Sequence, residues 1–448
     1  MSKKAALYTL GCKLNQYETM FLQEQLEKCG YLIVPFESVA DLYVINTCTV
    51  TNKGDYHSRM KIRQAQNTNP DALIVATGCS AQVNPQRLAA IPGVSLVLGN
   101  SEKGNMIHYL ASLKKNGIPD IRVSSLDQET VRFQPLFIEN FSGYTRAFLK
   151  IQEGCSHRCS YCIVPTARGK NRSARYGDAL AQARQLVENG YKELVLTGIH
   201  LGTYGQDLEE KKSLSDLIEA MLLDQGCCQG QDQEPFRLRI SSIEPTEITP
   251  HLKRLIAQSP RICAHLHIPL QSGDDQTLRA MHRPYTCAFY QELIEELVSL
   301  RPEITIGADV MVGFPGETDE SFQRTFQFIE ALPLAYLHVF SFSPRPGTEA
   351  GRMPCQIDGR IKKERCTLLR KLSREKFYRF RRRFLTHSLP ALVLGQRDEE
   401  TAHHIALTGN YIKVVTPGAD SLVNQQVSVE ITDVLEEKTF GRIKTKES

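Results

Sequence analysis

No apolar run in the 448 residues approaches the ~20 needed to span a bilayer, so no membrane association is expected. The start, Met1-Ser-Lys-Lys-Ala-Ala-Leu-Tyr-Thr-Leu10, puts two lysines before a short apolar stretch. That stretch is too short for a secretory h-region, and a polar helical pattern follows at once, so it reads as a first buried strand. Charge of one sign is also missing: 54 Lys and Arg against 50 Asp and Glu leave +4, and overall charge says little about partners. Nor is there a disulfide framework. Thirteen cysteines, an odd number, scatter over a long chain, which argues for reduced thiols, metal ligation and a cytoplasmic setting. With 41% hydrophobic and 23% charged residues the composition is that of an ordinary globular protein, and the length predicts roughly two to four domains.

Against that background one run stands out, Glu153-Gly-Cys155-Ser-His-Arg-Cys159-Ser-Tyr-Cys162-Ile-Val-Pro165. Three thiolates at this spacing can hold three irons of a cubane and leave the fourth open, whereas a four-cysteine set closes every iron. Open metal sites do chemistry and closed ones hold structure. Zinc is the alternative reading of the spacing, but a structural zinc site takes a second short Cys or His pair, and none stands nearby.

Residues 1 to about 115 alternate short apolar runs with helical patterns. The runs are Ala5 to Leu10, Asp41 to Ile45, Ala72 to Ala76 and Val94 to Leu98, and continuous apolar strands between helices predict a parallel, doubly wound sheet. Cys12, Cys48 and Cys79 follow the first three runs. In a parallel sheet all strands end at one edge, so three strand-end cysteines open into one crevice and can bind a second cluster. Each alone would pass as a small buried hydrophobe, but packing has no reason to choose that position three times. Cys29 lacks the pattern.

From about 141 to 375 six strand-like runs recur: Arg146 to Gln152, Glu193 to Thr197, Arg237 to Ser241, His265 to Pro269, Thr305 to Val312 and Tyr336 to Phe342. Helical patterns such as Ala179 to Asn189 and Phe289 to Leu300 separate them. Repeated βα units of this length predict a partial (β/α)6 barrel with its chemistry at the C-terminal strand ends. Polar and glycine-containing loops follow the strands and place a ligand-sized crevice there. Tyr161, Thr197, Gly198, Ser242, Glu244, Gln271, Asp309 and Gly313 are the expected small-molecule contacts. The loop Gly226 to Gln233, with Cys227 and Cys228, reads as a solvated insertion without a role.

Between about 381 and 446 the period changes to short alternating strands, Ala391 to Leu394, His404 to Leu407, Tyr411 to Val415 and Gln426 to Val434, which predict a small antiparallel barrel of OB-like type. Before it, Arg360 to Arg383 is dense in Lys and Arg. That stretch is either a solvated helix face or a phosphate-binding surface, and only the second predicts a steep salt dependence.

The cysteine triplet, with Tyr161 before its last member and a strand before its first, resembles the radical S-adenosylmethionine enzymes. The barrel beside its basic stretch resembles the TRAM domain, an RNA-binding module. Together with the N-terminal cysteines, these parts resemble the methylthiotransferases over nearly the whole chain. Gly11-Cys-Lys-Leu-Asn-Gln-Tyr-Glu18, Val44 to Thr51, Leu196-Thr-Gly-Ile-His200 and His265 to Gly273 are similar to the branch acting on threonylcarbamoyladenosine in tRNA. Thr197-Gly198 departs from the glycine-glycine-acid run that meets the methionine amine in the wider family.

The resemblance implies two 4Fe-4S clusters, one on Cys155, Cys159 and Cys162 that binds S-adenosylmethionine, and an auxiliary one on Cys12, Cys48 and Cys79. It implies methylation of a sulfur on the auxiliary cluster, then its delivery to carbon two of the adenine when a 5′-deoxyadenosyl radical has removed the hydrogen. A tRNA anticodon stem-loop would be the macromolecular partner, and a flavodoxin-like protein the electron donor. The other readings are action on isopentenyladenosine tRNA or on a ribosomal protein side chain, and a non-enzymatic iron-sulfur RNA-binding sensor.

Overall fold

The computed structural model describes residues 2–113, 117–126, 132–141, 143–224 and 236–444, and the loop with Cys227 and Cys228 lies outside them. Near the N-terminus, Lys4–Thr9 (β1), Leu32–Ile33 (β2), Leu42–Thr47 (β3), Leu73–Gly78 (β4), Val94–Leu98 (β5) and Asp120–Arg122 (β6) form one sheet in the order β2-β1-β3-β4-β5-β6. Every neighbouring pair is parallel. The apolar runs made this sheet legible because β3 is buried along its whole length and β4 nearly so. The order reverses between β1 and β3, and a doubly wound sheet opens its ligand crevice beyond the strand ends at such a reversal. The edge strands β2 and β6, two and three residues long and largely exposed, carry no apolar signature to read.

The chain clusters into two compact units. One comprises residues 1–140, 152–174 and 343–352, and therefore holds both this sheet and the Cys155–Cys162 loop; the other comprises 141–151, 175–342 and 353–448.

The second unit contains six parallel strands, Ala147–Lys150 (β7), Glu193–Thr197 (β8), Arg237–Ile240 (β9), His265–His267 (β10), Thr305–Val312 (β11) and Tyr336–Ser341 (β12). They lie in the orders β9-β8-β7 and β10-β11-β12, joined by parallel bridges Leu238 to Ile262 and Ser242 to His267. All six match the runs expected from sequence.

Beyond a 24-residue helix, Gly359–Arg382, five strands close a barrel: Ser388–Arg397 (β13), His404–Thr408 (β14), Lys413–Thr416 (β15), Gln426–Val434 (β16) and Thr439–Lys444 (β17), in the order β13-β14-β15-β17-β16. The expectation of an antiparallel barrel needs correction, because β15 and β17 pair in parallel. Parity requires it: five strands cannot alternate direction around a closed ring without one like-directed pair. Val393, Ala406, Val414, Val429 and Ile431 fill the interior, and Phe380 and Phe384 at the helix end pack on them.

This barrel is locked to the parallel strands through the turn between β14 and β15. Arg237 donates to Leu407 O at 2.7 Å, Arg239 to Thr408 O and Gly409 O at 3.2 and 3.1 Å, and Thr305 to Asn410 O at 2.5 Å. Tyr411 stacks on His265 with ring centroids 4.2 Å apart. Glu193 supports both arginines, accepting from Arg237 Nε at 2.6 Å and Arg239 Nε at 2.8 Å. These residues begin strands β8 to β11, so the turn plugs the N-terminal end of the array.

The basic helix is less solvated than its sequence implied. Arg365 is buried against Glu317 and Asp319 at 2.5 and 2.6 Å, Lys376 donates to Glu330 O and Leu332 O, and Arg381 donates to Thr439 Oγ1 at 3.0 Å. Among the described residues no helix is long and apolar enough to cross a membrane.

Candidate functional site

Each N-terminal cysteine sits where a parallel strand releases the chain. Cys48 and Cys79 directly follow β3 and β4, and Cys12 follows β1 and caps the helix Lys13–Lys28. Their loops converge tightly. Gly11 has φ +99°, and a Cβ there would lie 3.1 Å from both Cβ and Sγ of Cys48, so a side chain at this position would press into the sulfur. Burial pushes the Cys48 thiol up to about 11; the Cys79 and Cys12 sulfurs act in the same direction, while the Val50 N–H and Arg168 oppose them. The three sulfurs thus share one electrostatic neighbourhood at the switch-point edge.

Behind them lies a charged network that sequence reading missed. The Arg168 guanidinium meets Glu18 and Asn15, Lys103 meets the same Glu18, and all four side chains are buried. Asn15 also donates to Thr47 O at 3.1 Å, and Lys103 to Asn46 Oδ1 at 3.4 Å. Glu18 closes the Gly11 to Glu18 run and Arg168 stands six residues after Cys162, but only the fold shows that they meet.

In the same unit, a short ribbon pairs Gln152–Glu153 with Arg172–Ser173 and presents Cys155, Cys159 and Cys162 on the loop between. Glu153 and Arg172 form an ion pair at 3.1 Å across its base, and Ser156 and Asn171 exchange hydrogen bonds at 3.0 and 3.2 Å. Cys155 N–H donates to Gly169 O, Cys162 N–H donates to Cys159 O, and Val164 N–H donates to Cys162 Sγ at 3.4 Å. Tyr161 is half-buried on this loop. Among the described residues every cysteine is free of disulfides.

The other expected contacts lie in the second unit and divide into two kinds. Thr197 donates to Val195 O at 3.1 Å, and the Gly313 N–H donates to Glu317 at 2.9 Å; both make local structural bonds. Gly198 follows β8 directly. Ser242 bridges to His267, and Glu244 forms an ion pair with Arg283. Gln271, at φ +65°, donates its N–H to Asp309 O at 2.8 Å, and its buried Oε1 has no hydrogen-bond partner among the described residues. An orphaned buried acceptor is uncommon and is open to a donor from a water or a ligand.

Asp309 is held between His267 Nε2 at 2.9 Å and His338 Nδ1 at 3.4 Å. Burial would raise its pKa, but the hydrogen bonds from the two imidazoles outweigh it and keep the carboxyl below the usual range. His267 and His338 were not anticipated. A histidine inside a strand carries no signal, and only the register of β10, β11 and β12 sets them beside Asp309.

The donor sets suit soft, cysteine-ligated iron: three thiols at one sheet edge with a side-chain-free wall at Gly11, and three more on a braced loop with an amide aimed at sulfur.

Two family models match, Uncharacterized protein family UPF0004 over residues 4–99 and the Radical SAM superfamily over 149–329. The threonylcarbamoyladenosine tRNA methylthiotransferase of Bacillus subtilis is 40% identical over 95% of this chain and 93% of its own length. That of Aquifex aeolicus is 39% identical over 93% and 97%. A tRNA-2-methylthio-N(6)-dimethylallyladenosine synthase of Moorella thermoacetica is 30% identical over 96% of each. Among solved structures, the radical S-adenosylmethionine methyltransferase TsrM of Kitasatospora setae superposes with a TM-score of 0.55 at 16% identity, covering 78% of this chain and 77% of that one, a likeness of fold. With its cysteines gathered as they are and such likeness over nearly its full length, the chain belongs to the threonylcarbamoyladenosine tRNA methylthiotransferases of the radical S-adenosylmethionine superfamily.

Proposed function

We propose that Cys155, Cys159 and Cys162 hold one 4Fe-4S cluster and Cys12, Cys48 and Cys79 a second, in an enzyme that places a methylthio group on carbon 2 of N6-threonylcarbamoyladenosine in tRNA. The convergence of Cys12, Cys48 and Cys79 at one strand edge, in the unit that also carries the Cys155 loop, is the observation that carries this reading. When bound, the clusters and S-adenosylmethionine supply methyl transfer, sulfur and a carbon radical strong enough to take hydrogen from an aromatic carbon.

The chain's own residues position and select. The Val164 N–H, which donates to Cys162 Sγ, orients that ligand, and the unpaired Gln271 Oε1 is an acceptor for a cofactor N–H or O–H. Asp309 with His267 and His338 makes a polar wall, which suits the hydroxyl, amide and carboxylate groups of a threonylcarbamoyl chain. An isopentenyl group offers this wall no hydrogen bond, and desolvating the wall against it would go uncompensated.

The finer architecture follows. The parallel strands form a partial (β/α)6 barrel, and the five-stranded barrel is a TRAM domain that grips an anticodon stem-loop through phosphates. Such contacts position the base without reading it, and the target adenosine must leave the stack to react. A flavodoxin-like electron donor and a cytoplasmic location complete the reading.

The test is anaerobic reconstitution, then incubation with dithionite, S-adenosylmethionine and stem-loops bearing threonylcarbamoyladenosine, isopentenyladenosine or plain adenosine. Mass spectrometry should find the methylthio product on the threonylcarbamoyl loop. Product on the isopentenyl loop alone, or on ribosomal protein alone, overturns the substrate, and absence of 5′-deoxyadenosine overturns the enzyme.

A further inference from the structure

Glu18, Lys103 and Arg168 have side chains no more than 1% exposed, and one carboxylate lies between two cations. Asn15 and Asn46, which Arg168 and Lys103 also meet, are neutral, and Lys103, its pKa lowered by burial to about 8, stays largely protonated at neutral pH, so these three charged groups leave one positive charge in surplus. Buried charge without a counter-ion is costly, and a fold that tolerates it implies an anion close by. A second observation agrees: Arg168 Nε is buried with no hydrogen-bond partner among the described residues.

The geometry locates the anion, because the network stands one side chain behind each N-terminal cysteine loop. Asn15, which meets Arg168, donates to Leu10 O before Cys12 and to Thr47 O before Cys48. Asn46 Oδ1, which meets Lys103, lies 2.4 Å from where a Cβ on Gly78 would stand, next to Cys79. A 4Fe–4S core in its doubly positive state with three thiolates carries one net negative charge.

We propose that Glu18, Lys103 and Arg168 are the built-in counter-charge of an iron-sulfur cluster on Cys12, Cys48 and Cys79, matching its net charge and easing its reduction. They are positioning residues that touch neither substrate nor iron. The inference rests on the two-cluster reading.

The decisive variant is Lys103→Met, which leaves Glu18 and Arg168 as a neutral pair. It is placed in full-length protein carrying Cys155→Ala, Cys159→Ala and Cys162→Ala, so that only the auxiliary cluster is present. Reduction potential is followed by electron paramagnetic resonance, iron loss by chelation with bathophenanthroline, and melting temperature with and without the cluster. Lys103→Met should shift the potential to more negative values, speed iron loss several-fold, and melt no lower than its parent when cluster-free.

Equal lowering of both melting temperatures with an unchanged potential would reduce the network to a fold brace and overturn the proposal. Should Lys103→Met not fold, the pair Arg168→Lys and Arg168→Gln serves. The lysine should keep the potential and the glutamine should lower it, and identical behaviour of the two overturns the proposal. If the parent binds no cluster at all, the two-cluster reading falls and takes this inference with it. An unaltered potential in a loaded variant removes this inference alone.

Discussion

Glu193 has no access to solvent, yet it is ionised. Burial alone would raise its pKa, but Arg239, Arg237 and Arg146 outweigh it and hold the carboxyl far below the usual range. A depressed folded pKa contributes stability above the unfolded value of about 4 and loses it as pH falls from there. The protein should therefore lose stability on acidification below about pH 4 more steeply than its Glu193→Gln variant. At neutral pH that variant, leaving three arginines without their anion, should be less stable by roughly 3–5 kcal/mol in denaturant titration. The cysteines make a separate prediction: Cys12→Ala, Cys48→Ala and Cys79→Ala together should take reconstituted protein from about eight irons to about four. At this scale the cysteines were legible because their spacing is chemistry. Lys103, His267 and His338 were not, since a lone cation or imidazole gains meaning only from what packs beside it.

Among elements, the long strands announced themselves through apolar runs, and β2, β6 and β17 did not. The first two are too short and exposed for a pattern, and in β17 Gly441 and two cations interrupt the apolar residues. The basic stretch shows the opposite difficulty. Its composition is plain, but the tasks of individual cations are not, because Arg365 and Arg381 are turned inward. Arg365→Ala should lower the melting temperature through loss of the Glu317 and Asp319 contacts and leave the salt dependence of stem-loop binding unaltered. Exposed Lys363 should behave the other way, with Lys363→Ala preserving the melting temperature and reducing the slope of log affinity against log salt by about 1 if it meets a phosphate. Gly11→Ala should cost more than about 1 kcal/mol, because its φ of +99° is unsuited to a side chain, and should also lower iron content.

For the whole molecule, the order of three segments could be read from changes in period, but the grouping into compact units could not. The Cys155 loop clusters with the N-terminal sheet although its sequence neighbours on both sides belong to the other unit. Long-range packing decides such membership, and local pattern carries no trace of it. The same holds for the five-stranded barrel, whose strands are legible while its seat is not. Truncation after Leu385 should expose Arg237, Arg239 and His265, and the remainder should show a broadened, non-cooperative denaturant transition; retention of a sharp one would mean that the seat is dispensable.

On the proposed reading of the barrel as an RNA-binding module, the turn from Thr408 to Tyr411 also decides which partner would yield during recognition. A barrel bolted to the floor of the parallel strands cannot swing against them, so as the proposed RNA grip it would meet its target in one fixed pose relative to those strands. Compliance would then fall on the RNA, and a hairpin too stiff to unfurl its loop would bind and stay unmodified.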